Sequence, residues 1–235
     1  MDLIYFIKQI LFALRERDIP VCVIGEIALN YYNVPRVVHD LELCVPETSL
    51  SEAISIVCST GVFRRVEILD YDLFTEYKRG FPTFETPNLG LRLLLFPDYY
   101  FGLSPLHQNI VPNDERLSGT CSEQILDLFS RGEIQNLPVP RLPVFFIGLC
   151  LRFVETNDCM ARIAVEQLVD GMNLDGDWIE SNLGGATLEV RELAAQLVAE
   201  KTSRYDGNMD LEPMSSGLGD ARMQDLRLIP GSGFQ

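Results

Sequence analysis

Residues 21–45, VCVIGEIALNYYNVPRVVHDLELCV, decide the interpretation of the fold. An apolar run ends at Gly25, a short stretch of helical character follows, and a second apolar run carries Asp40 and Glu42. Because side chains two positions apart on a strand point to the same face, the two carboxylates should lie side by side. Paired carboxylates are suitable ligands for a hard divalent cation. The stretch therefore predicts a strand–turn–helix–strand unit that ends in an acidic site.

The remainder of the first half alternates between helical and strand patterns. Apolar positions at helical spacing predict helices over residues 2–17 and 47–60. Short apolar runs predict further strands at 63–69, around 83–86 and at 89–97. We expect an α/β (α+β) domain over residues 1–110, with a mixed sheet and flanking helices.

The second half has a different pattern. Residues 104–120 are polar and rich in turn formers, which predicts a loop or linker. Helical spacing then recurs from Cys121 onward, so residues 111–204 are predicted to form a C-terminal helical region. Periodicity is lost after residue 204, and we expect residues 205–235 to be a flexible tail.

The charge balance limits the classes of partner. The chain has 34 acidic and 19 basic residues, a formal net charge of −15. A long nucleic acid needs a basic field to bind its phosphates, so such a partner is disfavoured. A local basic patch could still hold a tRNA, which the balance does not exclude. Oligomeric state is not predicted.

Cysteine usage and hydropathy predict the compartment. Six cysteines occur without a CxxC pair in a chain of 47% apolar residues, which favours reduced thiols. No apolar run approaches the ~18 residues of a membrane span. Residues 1–20 carry Asp2 and Lys8 and lack a small-residue cleavage site, unlike a secretory signal. We expect a cytoplasmic protein in a reducing compartment, without a membrane segment.

The stretch GEIALNYYNVPRVVHDLEL, residues 25–43, resembles the signature of the nucleotidyltransferase superfamily, which has a polymerase-beta-like fold. Members carry a strand ending in Gly-Gly or Gly-Ser, then a helix, then a strand reading Asp-x-Asp or Asp-x-Glu. The form found in minimal, antitoxin-type and resistance-type nucleotidyltransferases is most similar. The wider stretch at residues 31–46 also resembles uncharacterised fungal members.

The resemblance implies a reaction and a set of residues. Mg²⁺ (or Mn²⁺) would be bound by Asp40 and Glu42, which would act as catalytic residues. Gly25 and the residue at position 26 would meet the triphosphate of a nucleoside triphosphate. Arg36 would orient the site, either as a phosphate anchor or as a partner of Asp40. A nucleotidyl group would pass to an unknown acceptor hydroxyl or amine.

Two departures from the family pattern leave other functions open. Glu26 replaces the second Gly or Ser, which brings negative charge to the expected phosphate position. The strand expected to supply a third carboxylate offers Arg92 and Leu94, with Glu85 and Asp98 as the nearest acids.

One alternative is a catalytically degenerate pseudoenzyme that keeps a binding role. A second alternative is a scaffold repurposed for biosynthetic chemistry on an activated substrate such as an aminoacyl-tRNA, with Glu26 as the acid–base group.

Overall fold

The computed structural model describes residues 3–87, 90–115 and 121–209, with Leu3, Asp114 and residues 202–209 described by their backbone only. The fold class predicted from the sequence is confirmed: a mixed sheet is flanked by helices and followed by a helical region. Beyond Met209, the predicted tail lies outside the described residues.

Five strands form one sheet in the order β1-β2-β5-β4-β3 within the described residues. β2 and β5 run parallel, and the other neighbours pair antiparallel. β2 is buried at every position, as expected for a central strand covered on both faces. The strands are β1 (Cys22–Val23), β2 (Asp40–Val45), β3 (Arg64–Val66), β4 (Thr83–Glu85) and β5 (Arg92–Pro97).

Helices surround the sheet and form most of the second half. The first three are α1 (Leu3–Arg15), α2 (Gly25–Tyr31) and α3 (Leu50–Ser59). Three short helices follow: α4 (Leu106–Asn109), α5 (Glu123–Leu126) and α6 (Arg131–Ile134). The last four are α7 (Leu142–Thr156), α8 (Cys159–Gly171), α9 (Gly176–Asn182) and α10 (Leu188–Met209).

Two boundaries differ from the sequence prediction. The predicted linker at 104–120 contains α4, because Leu106 is buried in the core and anchors one helical turn. α10 runs to Met209, past the predicted start of the tail at residue 205.

The two predicted regions share one hydrophobic core. The Val23 amide donates to the Pro138 carbonyl at 2.7 Å, and the Ser122 amide donates to the Asn30 carbonyl at 2.9 Å. These contacts pack the helical region directly against β1 and α2. Division of the chain into separate domains at residue 110 stays a prediction.

The structure also bears on the predicted environment. None of the helices among the described residues is both long and apolar enough to cross a membrane. Cys44 and Cys150 are buried, as expected for reduced thiols that act as small apolar side chains. Burial raises the pKa of the Cys150 thiol to about 12, so it stays protonated. The cytoplasmic location stays a prediction.

Candidate functional site

A cavity of about 300 Å³ lies between the sheet and the C-terminal helices. This volume is at the lower end of the range for small-molecule sites. All five residues that the sequence singled out line it: Gly25, Glu26, Arg36, Asp40 and Glu42. Its lining also includes the apolar side chains of Phe101, Phe145, Leu149, Met160, Ala161 and Ala164. The cavity therefore combines a charged wall with a surface suited to an organic ligand.

Gly25 begins α2 just after β1, at the turn that was predicted to meet a phosphate. Its φ angle of +61° favours glycine. A Cβ added to Gly25 would lie 2.3 Å from Glu42 Oε2, so the carboxylate packs directly on the turn. The turn that was expected to meet a phosphate therefore has a carboxylate packed against its glycine.

Asp40 and Glu42 lie side by side on β2, as predicted, and both are almost fully buried. Lys78 bridges them: its Nζ lies 2.8 Å from Asp40 Oδ2 and 2.9 Å from Glu42 Oε1. Arg92 donates to both oxygens of Asp40, from Nε at 2.8 Å and from Nη2 at 3.0 Å. The Tyr77 hydroxyl donates to Glu42 Oε1 at 2.5 Å. The two acids are thus neutralised by two basic side chains of the same protein.

The protonation states of the bridging groups follow from their environment. Burial lowers the pKa of Lys78, but the carboxylates of Glu42 and Asp40 raise it more, so the net shift is upward. Burial also raises the pKa of Tyr77 well above its ordinary value, and the neighbouring Glu42 adds to this effect. Lys78 is therefore an ammonium and Tyr77 a neutral phenol that donates its proton.

The residues around Asp40 and Glu42 do not fit the expected Mg²⁺. The Lys78 ammonium fills the space between the two carboxylates. In the described ranges, no three His, Cys, Asp or Glu side chains are grouped so as to hold a metal ion. Leu94 pairs with Glu42 on the parallel strand, where the third carboxylate was expected. Mg²⁺ needs several oxygen ligands in near-octahedral geometry, and this arrangement does not provide them.

The two acids nearest to that strand have other positions. Glu85 lies on β4, opposite Arg92. Asp98 follows the carboxyl end of β5 and accepts a hydrogen bond from the Glu47 amide at 3.1 Å. Asp40 begins the parallel strand β2, so Asp98 lies at the other end of the sheet.

Arg36 lines the cavity, but Asp40, one of its two predicted partners, is paired with other residues. Asp40 has Lys78 and Arg92 as its salt-bridge partners instead. The Asn30 side chain fixes the Arg36 backbone, donating to its carbonyl at 2.8 Å and accepting from its amide at 3.2 Å. Burial lowers the pKa of Arg36, and the charge of Glu26 opposes this shift. Arg36 therefore places a positive charge in the cavity near Glu26.

Glu26 forms a pair with His39 that the sequence did not predict. Its Oε2 accepts a hydrogen bond from the His39 amide at 2.5 Å, and its Oε1 lies 2.8 Å from His39 Nδ1. The Glu26 side chain is about a quarter exposed, at 26%. The pair places an oriented, accessible carboxylate in the cavity, which is a suitable geometry for proton transfer.

Sequence reasoning also missed Tyr77, Lys78 and Arg152, which line the cavity too. The first two belong to a single 3-10 turn in an irregular segment that has no periodic signal. The buried guanidinium of Arg152 lies 5.0 Å from the Tyr77 ring centre and forms a salt bridge with Asp158 at the start of α8. The sequence feature that could have identified Arg152 is that it is a single basic residue in a helix of apolar character.

Comparisons with known proteins leave the family open. No protein-family model and no curated protein sequence matches the chain. Among solved structures it is similar to the antibiotic-resistance factor ANT(2'')-Ia in solution, at TM-score 0.43 and 18% identity over 89% of this chain and 97% of that chain.

It is also similar to ANT(2'')-Ia in complex with adenylyl-2''-tobramycin, at TM-score 0.41 and 18% identity over 86% of this chain and 98% of that chain. Such weak similarity does not assign a function. The resemblance to nucleotidyltransferases and to their fungal members stays a prediction from the sequence.

Proposed function

We propose that the cavity is a metal-independent transfer site for an activated organic substrate, with Glu26 as its acid–base group. The observation that carries this proposal is the Lys78 ammonium between Asp40 and Glu42. Nucleotidyl transfer from Mg–NTP, the reaction implied by the resemblance, would require a divalent cation at that position. It would also place a phosphate at the Gly25 turn, against which the Glu42 carboxylate packs.

The chemistry of the cavity is better suited to acyl transfer than to phosphoryl transfer. Transfer of a nucleotidyl group develops charge on phosphate oxygens that metal ions normally neutralise. Acyl transfer to an amine needs a base to remove the proton of the attacking nitrogen and an acid to protonate the leaving alkoxide. Glu26 can do both in turn, as a C–N bond forms and the ester C–O bond breaks.

The donor in this proposal is an activated ester, and an aminoacyl ester is one example. A tRNA could carry such an ester, as in the aminoacyl-tRNA alternative that the sequence left open. Residues 121–201 carry 13 acidic and 6 basic side chains, so the helical region offers no basic field. The charge balance therefore favours a small donor, or contact with the acceptor end of a tRNA alone.

Ligand-dependent thermal stability tests the absence of metal–nucleotide binding. The melting temperature would be measured with Mg²⁺ or Mn²⁺ and each NTP, on the wild type and on Asp40→Ala. A ligand at ~100 times its Kd stabilises by ~2.7 kcal/mol, so productive binding would be readily visible. We expect no shift that requires both metal and nucleotide. A shift of this kind that disappears in Asp40→Ala would restore the nucleotidyltransferase interpretation.

Glu26→Gln tests the acid–base role. The glutamine keeps the size of the side chain and an oxygen to accept from the His39 amide. With activated esters and amine acceptors followed by mass spectrometry, we expect turnover to fall by about 10²–10⁴-fold at an unchanged melting temperature. Equal turnover by wild type and variant would refute the role of Glu26.

The pseudoenzyme remains the second candidate, and one observation favours it. Lys78 and Arg92 balance the charges of Asp40 and Glu42, so the network is electrically neutral without a substrate. A binding module would take up a ligand in the cavity without product formation. Ligand binding of equal affinity in wild type and Glu26→Gln, with turnover in neither, would identify this case.

A further inference from the structure

We infer that Lys78 is a tethered cation in the place of a divalent metal ion, and that removing its side chain opens a latent metal site formed by Asp40 and Glu42. The inference concerns binding alone. It therefore goes beyond the proposed transfer reaction, and it holds whether the cavity is catalytic or only binds a ligand.

The geometry around the Lys78 ammonium is that of a cation site. Its Nζ contacts one oxygen of each carboxylate, at 2.8 and 2.9 Å, and the two carboxylate side chains are each 2% exposed. Divalent cations bind carboxylate oxygens at ~2.0–2.6 Å, so an ion in the same gap would need only a small inward movement of the two acids. The ammonium supplies one positive charge where the ion would supply two.

Glu42 depends on Lys78 more than Asp40 does. Asp40 keeps the Arg92 guanidinium if Lys78 is lost. For Glu42, Lys78 is the salt-bridge partner found among the described residues, and Tyr77 is neutral. In that same part of the chain, Glu42 Oε2 is buried and has no hydrogen-bond partner. Without Lys78, Glu42 would be a buried carboxylate with open ligand positions, which must take up either a proton or another cation.

The turn that carries Lys78 is fixed by contacts other than its ammonium. The Tyr77 hydroxyl donates to Glu42, and the Tyr77 ring stacks on Phe96 at a centroid distance of 6.3 Å. The Tyr100 hydroxyl donates to the Tyr77 carbonyl at 2.9 Å. Truncation of the lysine should therefore leave the turn in place and an empty space between the carboxylates. The cavity beside it can supply water as further ligands.

The test compares Mn²⁺ and Mg²⁺ binding by the wild type, Lys78→Ala and the double variant Lys78→Ala/Glu42→Gln. Calorimetric titration and melting temperature would be measured on the full chain. We expect Lys78→Ala to bind one Mn²⁺ at least about tenfold more tightly than either of the others, with a matching rise in melting temperature. The double variant is the matched control, because it keeps the space and removes one charge.

If Lys78→Ala does not fold alone, refolding from urea with and without Mn²⁺ replaces the titration. Recovery of the far-UV circular dichroism signal with Mn²⁺ would support the latent site. Equal Mn²⁺ affinity in the three proteins, or no recovery of Lys78→Ala when Mn²⁺ is added, would overturn it. Neither result touches the proposed transfer reaction, whose test is the turnover of Glu26→Gln.

Discussion

Gly25 satisfies two independent constraints at the entrance to the site. Its φ angle lies in the left-handed region, which costs other residues roughly 1–2 kcal/mol. Its missing side chain also leaves room for the Glu42 carboxylate, because an added Cβ would lie 2.8 Å from Glu42 Cδ. Gly61 provides a comparison, since it has a similar φ angle of +67° and nothing within 4 Å of an added Cβ.

We predict that Gly25→Ala destabilises the protein more than Gly61→Ala does. Both substitutions place an alanine at a positive φ angle, which alanine adopts less readily than glycine. Only Gly25→Ala also forces Glu42 away from the turn. We expect an additional loss of about 1–3 kcal/mol in the free energy of unfolding, the usual cost of overpacking. Urea denaturation of the two variants measures the difference. Equal losses would show that Glu42 moves freely and does not seal the turn.

At this scale the sequence predicted the residues whose placement is local. Asp40 and Glu42 were found because strand alternation puts them on one face, and Gly25 because it breaks an apolar run. Lys78 could not be found, because it reaches the site from an irregular turn far along the chain. The sequence showed that Leu94 stands where a carboxylate was expected. It did not show that the Lys78 ammonium takes the place of the metal ion, because that contact depends on tertiary structure.

At the scale of elements, α6 is attached to α1 by one carboxylate. Glu133 Oε2 accepts a hydrogen bond from the Ser130 amide at 2.7 Å, which completes the start of α6. Glu133 Oε1 forms a salt bridge with Lys8 of α1. The hydrogen bond from Lys8, followed by those from Ser130, lowers the pKa of Glu133 from 4.5 to about 2.

We predict a pH-dependent contribution of Glu133 to stability. Because its pKa is lowered by folding, the contribution is complete above about pH 4.5 and is lost as the pH falls toward 2. Exposure and screening limit it, so Glu133→Gln should lower the free energy of unfolding by about 0.5–1 kcal/mol at pH 7. The difference between wild type and variant should decrease at pH 3 and in high salt. A difference independent of pH would contradict the ionic role of Glu133.

Element types were predictable from the sequence more reliably than element lengths. The apolar run at 63–69 predicted a longer strand than β3, which ends at Val66. β3 is at the edge of the sheet and Leu69 is 74% exposed, so within the described part of the chain no second strand extends the pairing there. The run has the composition of a strand, but hydrogen bonding to a neighbour decides its length, and that neighbour is distant in sequence.

At the scale of the whole molecule, Arg152 connects the helical region to the charged wall. Its guanidinium lies 4.6 Å from the Phe101 ring centre and 4.8 Å from the Tyr100 ring centre, in addition to its contact with Tyr77. Because Tyr77 donates to Glu42, a helix of the second half supports the acidic pair of the first half. Contacts of this range cannot be inferred from periodicity, so the sequence did not predict that the α/β domain and the helical region share one hydrophobic core.

We predict that the two halves unfold together. Trp178 is the single tryptophan and packs on Phe146 in the helical region, with ring centres 5.4 Å apart. Its fluorescence therefore reports the second half, while the reactivity of the buried Cys44 thiol on β2 reports the sheet. In urea, both signals should change at the same denaturant concentration, as in a two-state transition.

Tyr32→Phe provides the control for this experiment, because the Tyr32 hydroxyl donates to the Pro140 carbonyl across the two halves. Loss of that buried hydrogen bond should lower the free energy of unfolding by about 1 kcal/mol. The midpoints of both transitions should therefore fall by the same amount. A midpoint for Cys44 exposure that separates from the Trp178 transition, in wild type or variant, would show that residues 1–110 form an independent domain. The Arg152–Tyr77 contact would then be an interface between domains rather than part of one core.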